Sequence, residues 1–373
     1  MIETKASSIR DLLRVVAILL MVSMAWQARA FSAGQPTGAE QARDGSHDFD
    51  FNTGVWHTHI RRVLDPFSPS SDVVELDGTV TIRPVWGGRA KLEEIEADGP
   101  KGHWEGLSLF LYNPQSHQWS QSFLNSKIAV LSGGLVGEFH DGRGELYAHD
   151  TFHDKSIFVR GVWSEITPNS HRYTESYSND GGKTWFTSFD AHKTREKDLP
   201  PSDMAAGAEP MSADPDAHAF DFDLGTWHAQ SSRLMHPLTG STTWVELSGT
   251  GVCYKLWNGR AELDTIEVDG PSGHTEGLTL RLFNPQTHQW RLYWANSKDG
   301  IVAAPQIGQF KNGHGEFFAQ DDLDGKIIFV RFDWTNLASA SPHFEQSFSN
   351  DGGKTWEPNW ITDQTRIPAS PTK

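Results

Sequence analysis

One cysteine, Cys253, is all the 373-residue chain carries, so no intramolecular disulfide can form and stability must come from packing. Its counterpart in the repeat described below is Ile82, which marks the position as apolar packing and not as a reactive thiol. Basic residues are in deficit. Lys and Arg number 32 against 48 Asp and Glu, a formal net charge of −16 that disfavours nucleic acid and anionic membrane surfaces. Phosphate-binding glycine loops, a G-x-S-x-G elbow and H-E-x-x-H are all missing. Asp321-Asp322-Leu323-Asp324-Gly325 lacks the ligand order of an EF-hand, and His57-Thr58-His59 loses its second histidine to Gln230 in the matching stretch. No metal site is therefore expected. Helical periodicity is almost absent as well.

What is present begins with an export signal over residues 1–30. A basic start leads into an apolar stretch from Val15 to Trp26, then into the small-x-small site Ala28-Arg29-Ala30. That stretch is shorter than the ~20 residues needed to cross a bilayer. No Cys follows the site, so lipid attachment is not indicated. The expected address is the periplasm or the exterior, with no stable membrane insertion after cleavage.

The chain then says nearly the same thing twice. Residues 47–195 fall on residues 218–366 without a gap, and about 65 of the aligned positions are identical. His47-Asp48-Phe49-Asp50-Phe51 answers His218-Ala219-Phe220-Asp221-Phe222, and Ser178-Asn179-Asp180-Gly181-Gly182-Lys183-Thr184-Trp185 is repeated intact from Ser349 to Trp356. Two domains follow, 47–195 and 218–366. A disordered segment (31–46) precedes them, a Pro-, Ala- and Asp-rich linker (196–217) separates them, and a short tail (367–373) closes the chain.

Within each unit, two-residue alternation and turn punctuation dominate. Leu107, Leu109 and Leu111 alternate with Ser108, Phe110 and Tyr112, and Leu278, Leu280 and Leu282 with Thr279, Arg281 and Phe283. The leucines are expected to face the core, and the other side to tolerate a charge. Gly-bearing turns at Asp77-Gly78, Asp98-Gly99-Pro100, Asp141-Gly142 and Asp180-Gly181-Gly182 space out about eight to ten antiparallel strands per unit. The class is all-β. Closure into a barrel is the simplest way for such a meander to remove its edges.

Each unit opens on Gly-x-Trp (Gly54-Val55-Trp56, Gly225-Thr226-Trp227) and ends on a lone basic residue, Arg195 or Arg366. This pairing resembles the calycin superfamily of lipocalins and fatty-acid-binding proteins, and the whole unit looks like an uncharacterised calycin-like family of bacterial proteins. The resemblance implies a barrel closed at one end by Trp56 or Trp227, with Arg195 or Arg366 packed across the indole. Lipocalin disulfide cysteines and a clear C-terminal helix are lacking. Nitrobindin-like haem barrels share the fold, and that analogy alone brings in haem as a cofactor. Ser178-x-Asp180-x-Gly182-x-Thr184-Trp185 also resembles the Asp-box of sialidase-type propellers. In propellers it recurs about once per ~40–50-residue blade; here it recurs once per domain, as a structural hairpin.

Candidate site residues are those both copies keep. His103 and Glu105, like His274 and Glu276, lie two apart at the start of the leucine-alternating strand, so imidazole and carboxylate project to one side and could transfer a proton. A turn-stabilising pair is the plain alternative. Arg89 and Arg260 could hold a ligand carboxylate, and Asn125, Lys127, Asn296 and Lys298 could add polar contacts at the rim. Arg160 and Arg331 are expected to point outward. The 15 tryptophans suit a flat aromatic ligand or an ordinary core equally. Three readings stay open: an exported protein binding a small apolar or aromatic molecule, a proton-transfer enzyme acting on one, and a pair of solid barrels that bind a partner.

Overall fold

The computed structural model describes residues 44–126, 129–198, 214–271 and 273–368. The export signal, the rest of the chain before residue 44, most of the linker and the end of the tail lie outside them, as does Lys127.

The first repeat forms β1 (Gly54–Val63), β2 (Val73–Val85), β3 (Ala90–Gly99), β4 (Gly102–Asn113), β5 (Gln118–Asn125), β6 (Leu135–His140), β7 (Arg143–Phe152), β8 (Lys155–Ser164), β9 (Ser170–Ser178) and β10 (Phe186–Lys197). The second forms β11 (Gly225–Leu234), β12 (Trp244–Leu256), β13 (Ala261–Gly270), β14 (Gly273–Asn284), β15 (Gln289–Asn296), β16 (Gln306–Lys311), β17 (His314–Leu323), β18 (Lys326–Thr335), β19 (His343–Ser349) and β20 (Glu357–Arg366). Each set is an antiparallel meander whose first and last strands pair, so the chain is two tandem closed barrels. Closure leaves no strand edge to aggregate.

Two devices fix this closure. The first is the hairpin between β9 and β10, where Asp180 accepts from the amides of Lys183 and Thr184 (both 3.0 Å) and the Thr184 hydroxyl (2.6 Å). These bonds hold its carboxyl well below the ordinary carboxylate range. Gly181 and Gly182 supply the left-handed backbone (φ 75° and 86°) that the turn needs. Asp351 and its turn repeat the arrangement. The second device is the register of the closing pair, which sets Trp56 opposite Arg195 and Trp227 opposite Arg366. Each guanidinium lies 4.0 Å from the centre of its indole.

The face taken by the leucines corrects the sequence expectation. Leu107, Leu109 and Leu111 point out of the first barrel, and Leu278, Leu280 and Leu282 out of the second; together with Leu92, Leu124, Leu256 and Leu263 they form one cluster between the barrels. The core they enter is an interface. Burying each leucine there contributes roughly 1.5–3 kcal/mol. Symmetric ion pairs flank it: Arg89 Nη2 to Glu276 Oε2 at 2.5 Å, and Arg260 Nη2 to Glu105 Oε2 at 2.6 Å. The alternate residues, Ser108 and Phe110 or Thr279 and Arg281, therefore face the two lumens. Arg281, on the side expected to tolerate a charge, is fully buried.

Candidate functional site

The lumen of the first barrel is built from the inward positions of its strands. Alternation puts Glu93 and Ile95 of β3, Tyr173, Glu175 and Tyr177 of β9, and Phe189, Ala191 and Lys193 of β10 around one cavity of about 500 Å³. One end is plugged. Before β1 the chain crosses the barrel with Phe49 inserted among Phe110, Trp119, Phe139 and Trp163, at centroid distances of 4.9, 5.0, 4.8 and 5.3 Å. Trp56 Nε1 and Trp119 Nε1 donate to carbonyls of this segment, Asn52 and Gly45. Arg195 donates to the carbonyls of Phe51, Thr53 and Pro168, so the guanidinium ties the plug to the last strand.

Above the plug lies a polar floor. Lys193 Nζ pairs with Glu93, both side chains being only 3% exposed, and stands 4.9 Å over the Trp163 ring. Ser108 Oγ donates to the other Glu93 oxygen at 3.0 Å. Gln121 Oε1 accepts from Trp163 Nε1 at 3.2 Å. His171 lies beneath, against Trp56 and Trp163, and neither ring nitrogen has a hydrogen-bond partner. Burial, with the nearby Lys193 and Arg195 charges, brings it down to about 2, so the ring is neutral.

The walls above the floor are apolar: Ile60, Val80, Ile95, Phe123, Val159 and Phe189. Trp104 stacks on Phe123 at 6.1 Å, and Gly106 leaves room for both rings, since a Cβ there would come within 3.0 Å of each. Nearer the mouth, Glu175 receives the Tyr173 hydroxyl at 3.4 Å, and its backbone carbonyl the Ser188 hydroxyl at 3.2 Å. Burial raises the Glu175 carboxyl above the ordinary range and pushes the Tyr177 phenol up. The lumen thus offers a hydrogen-bonding floor, an aromatic belt and, towards the mouth, a buried carboxyl.

The second barrel keeps the plug but not the room. Trp294 and Trp360 stand where the first barrel has Phe123 and Phe189, edge to face at 5.5 Å and 90°. Gly277 is indispensable to this, because a Cβ there would meet the Trp294 ring at 2.0 Å. The cavity left is about 70 Å³, space for about two waters at ~30 Å³ each. Arg281 replaces Phe110 and lies over Phe220 at 4.3 Å, paired with Asp223 at 2.6 Å, Asp264 at 3.1 Å and Glu262 at 3.4 Å. Burial raises Glu262 to about 7. Cys253 is buried beside this cluster, 3.6 Å from both Glu262 and Arg281, and burial pushes its thiol up.

The residues singled out from sequence are dispersed. His103 is exposed and pairs with Asp98 at 3.1 Å, and His274 with Asp269 at 3.0 Å. Their partners Glu105 and Glu276 turn instead to Arg260 and Arg89 across the interface. Glu105, Glu276, Arg89 and Arg260 are thus brought together as barrel-to-barrel ion pairs, and the two histidines take no part in them. Asn296 caps its own turn, accepting from the Lys298 amide at 3.0 Å and donating to Asp299 at 3.1 Å, and Lys298 is exposed. Asn125 ends β5 beside Ser126, whose amide donates to the Glu105 carbonyl. Arg160 and Arg331 lie outside the barrels over Trp185 and Trp356, at 4.5 and 5.1 Å. None of the described candidates lines the large cavity.

The residues that do line it, above all Glu93, Ser108, Gln121, Glu175 and Lys193, escaped the search for retained side chains because the second copy carries Asp264, Thr279, Leu292, Gln346 and Gln364 there. The available signal was the difference between copies at inward positions.

No protein-family model matches the chain, and no curated protein matches it in sequence. Several solved structures are similar to it. An S-type phycobiliprotein lyase from Guillardia theta is 14% identical over 40% of this chain and 92% of its own, with a TM-score of 0.28. A de novo designed fluorescence-activating β-barrel is 14% identical over 41% and 99%, with a TM-score of 0.21. A protein of unknown function from the DUF3598 family of Nostoc punctiforme is 9% identical over 87% and 100%, with a TM-score of 0.24. At such values the likenesses carry no argument about ligand or activity.

Proposed function

We propose that the protein is an exported, calycin-like binding protein that holds one small apolar or aromatic molecule in the lumen of its first barrel. The observation that carries this is the contrast between two lumens of one design: about 500 Å³ in the first, about 70 Å³ in the second. The larger value falls among ligand pockets, which run to roughly 300–1,000 Å³ and combine apolar walls with a few placed polar groups. An unfilled apolar cavity costs stability, and the second barrel removes that cost with Trp294 and Trp360. Keeping Phe at both positions in the first is what a ligand site requires. The second barrel serves as a filled scaffold joined to the first through the leucine interface.

The test uses that contrast. Phe123→Trp with Phe189→Trp gives the first lumen the residues of the second. Wild-type protein is expected to bind apolar aromatic probes, read as quenching of its tryptophans or by calorimetry, and the double variant to lose binding while keeping its circular dichroism. A wild type that binds nothing from a broad panel including haem, or a double variant that binds as well as wild type, removes the reading.

A further inference from the structure

The floor of the first lumen narrows the ligand further. We infer that it receives an uncharged head group bearing both a hydrogen-bond donor and an acceptor, as a phenol or an amide does. This inference rests on the first barrel being the ligand site.

Charge comes first. Glu93 and Lys193 are paired and almost wholly buried, so together they present no net charge to the cavity. The imidazole below them is neutral. Arg195 beneath is committed to the plug carbonyls of Phe51 and Thr53, to the Pro168 carbonyl of the β8–β9 loop, and to Asp198 at its outer side. The other charged side chains that line the cavity are Glu175, towards the mouth, and Asp150 and Arg62, both exposed at its rim. A ligand carboxylate at the floor would approach Lys193 only by approaching Glu93 as well, and an ammonium would meet the reverse. Either brings an uncompensated third charge into a dry site, which is costly.

Hydrogen-bonding capacity gives the complement. The ammonium has three N–H groups, one given to Glu93 and the group as a whole facing Trp163. The Glu93 oxygens accept one bond each, from Lys193 and Ser108, and each keeps a lone pair. Gln121 has its oxygen engaged by Trp163, which leaves its NH₂ as a donor. Donor and acceptor capacity therefore lie side by side at the base of an aromatic shaft. A head group that donates to Glu93 and accepts from Lys193 satisfies both without adding charge. The second barrel has Gln364 in place of Lys193 and Leu292 in place of Gln121, so this floor belongs to the first barrel alone.

Four probes of one shape test this at pH 7: naphthalene, 2-naphthol, 2-naphthoate and 2-naphthylmethylammonium, titrated calorimetrically. Naphthalene binding that vanishes in the Phe123→Trp/Phe189→Trp protein checks the site itself, and its absence from wild type would count against the site and not against the floor. Given that site, wild type is expected to bind 2-naphthol about tenfold or more tighter than either charged probe. Glu93→Gln leaves Lys193 unpaired and is expected to turn the preference to 2-naphthoate; Lys193→Met leaves Glu93 unpaired and is expected to turn it to the ammonium probe. Should either variant fail to fold, the wild-type order and the uncharged Glu93→Gln/Lys193→Met protein, expected to disfavour both charged probes, still decide. Tightest wild-type binding of 2-naphthoate would make the floor an anion clamp and overturn the inference. Equal affinity for all four probes would show that the floor is not engaged, with the same consequence.

Discussion

Removing the Arg195 guanidinium should cost the first barrel about 3 kcal/mol. The side chain lies 4.0 Å over the Trp56 ring and donates to the carbonyls of Pro168 (2.7 Å), Thr53 (2.9 Å) and Phe51 (2.9 Å), with 18% of it exposed. The stacked cation contributes about 1 kcal/mol at such a half-sheltered site. Each charge-assisted bond is worth roughly 1.5 kcal/mol or more, but the carbonyls lie near the barrel end and regain water, so about 0.7 kcal/mol each is retained in the sum. For a domain of this size, that loss lowers the melting temperature by about 6–12 °C.

Arg195→Ala measured by thermal and denaturant unfolding checks the figure, and Arg195→Lys separates its causes. A lysine keeps the charge over the indole but cannot span three carbonyls, so it should recover about half of the loss. Arg366, over Trp227 with carbonyls of Phe222 and Leu224, should behave alike in the second barrel. The two losses should add, since the sites share no partner. A change within about 0.5 kcal/mol for Arg195→Ala, or complete recovery by lysine, would refute the reasoning that this residue clamps the plug.

In the second barrel, Glu262 is raised from 4.5 to about 7, so the folded chain holds a proton that the unfolded chain releases. Its stabilising contribution is full below about pH 4.5 and is lost as pH rises through about 7; Glu262→Gln should flatten that slope in unfolding measured across pH 4–9, and an unchanged slope would contradict it. Arg281→Met strands three buried carboxylates and should cost about 3–5 kcal/mol at pH 8 and less at pH 5, read as a larger drop in melting temperature at the higher pH. Trp294→Phe with Trp360→Phe should open the second lumen, lowering stability by a few kcal/mol through lost packing, and giving the chain a second binding site for naphthalene in calorimetry.

The architecture was legible because closure and repetition leave marks on sequence. Gly-x-Trp and the terminal Arg are one contact written at both ends of a barrel, and the register joins Trp56 to Arg195. The leucine alternation showed the right period, yet period alone does not say which side of a barrel wall is covered. Here β4 and β14 are buried on both faces, inside by the lumen and outside by each other. Arg89 with Glu276 and Arg260 with Glu105 were each visible as retained charges, but their pairing runs across the repeat boundary, which no spacing within one copy encodes. The lumen was hidden for the opposite reason. Retention selects what the fold needs, whereas Lys193 facing Gln364, and Phe189 facing Trp360, are positions at which the copies have parted.

The most direct measurement is native mass spectrometry of the chain purified without refolding from the cells that make it. Wild type is expected to carry one bound organic molecule per chain, and the Phe123→Trp/Phe189→Trp protein, prepared alongside, to carry none. The same adduct on both proteins, or two per wild-type chain, would contradict a single site in the first barrel.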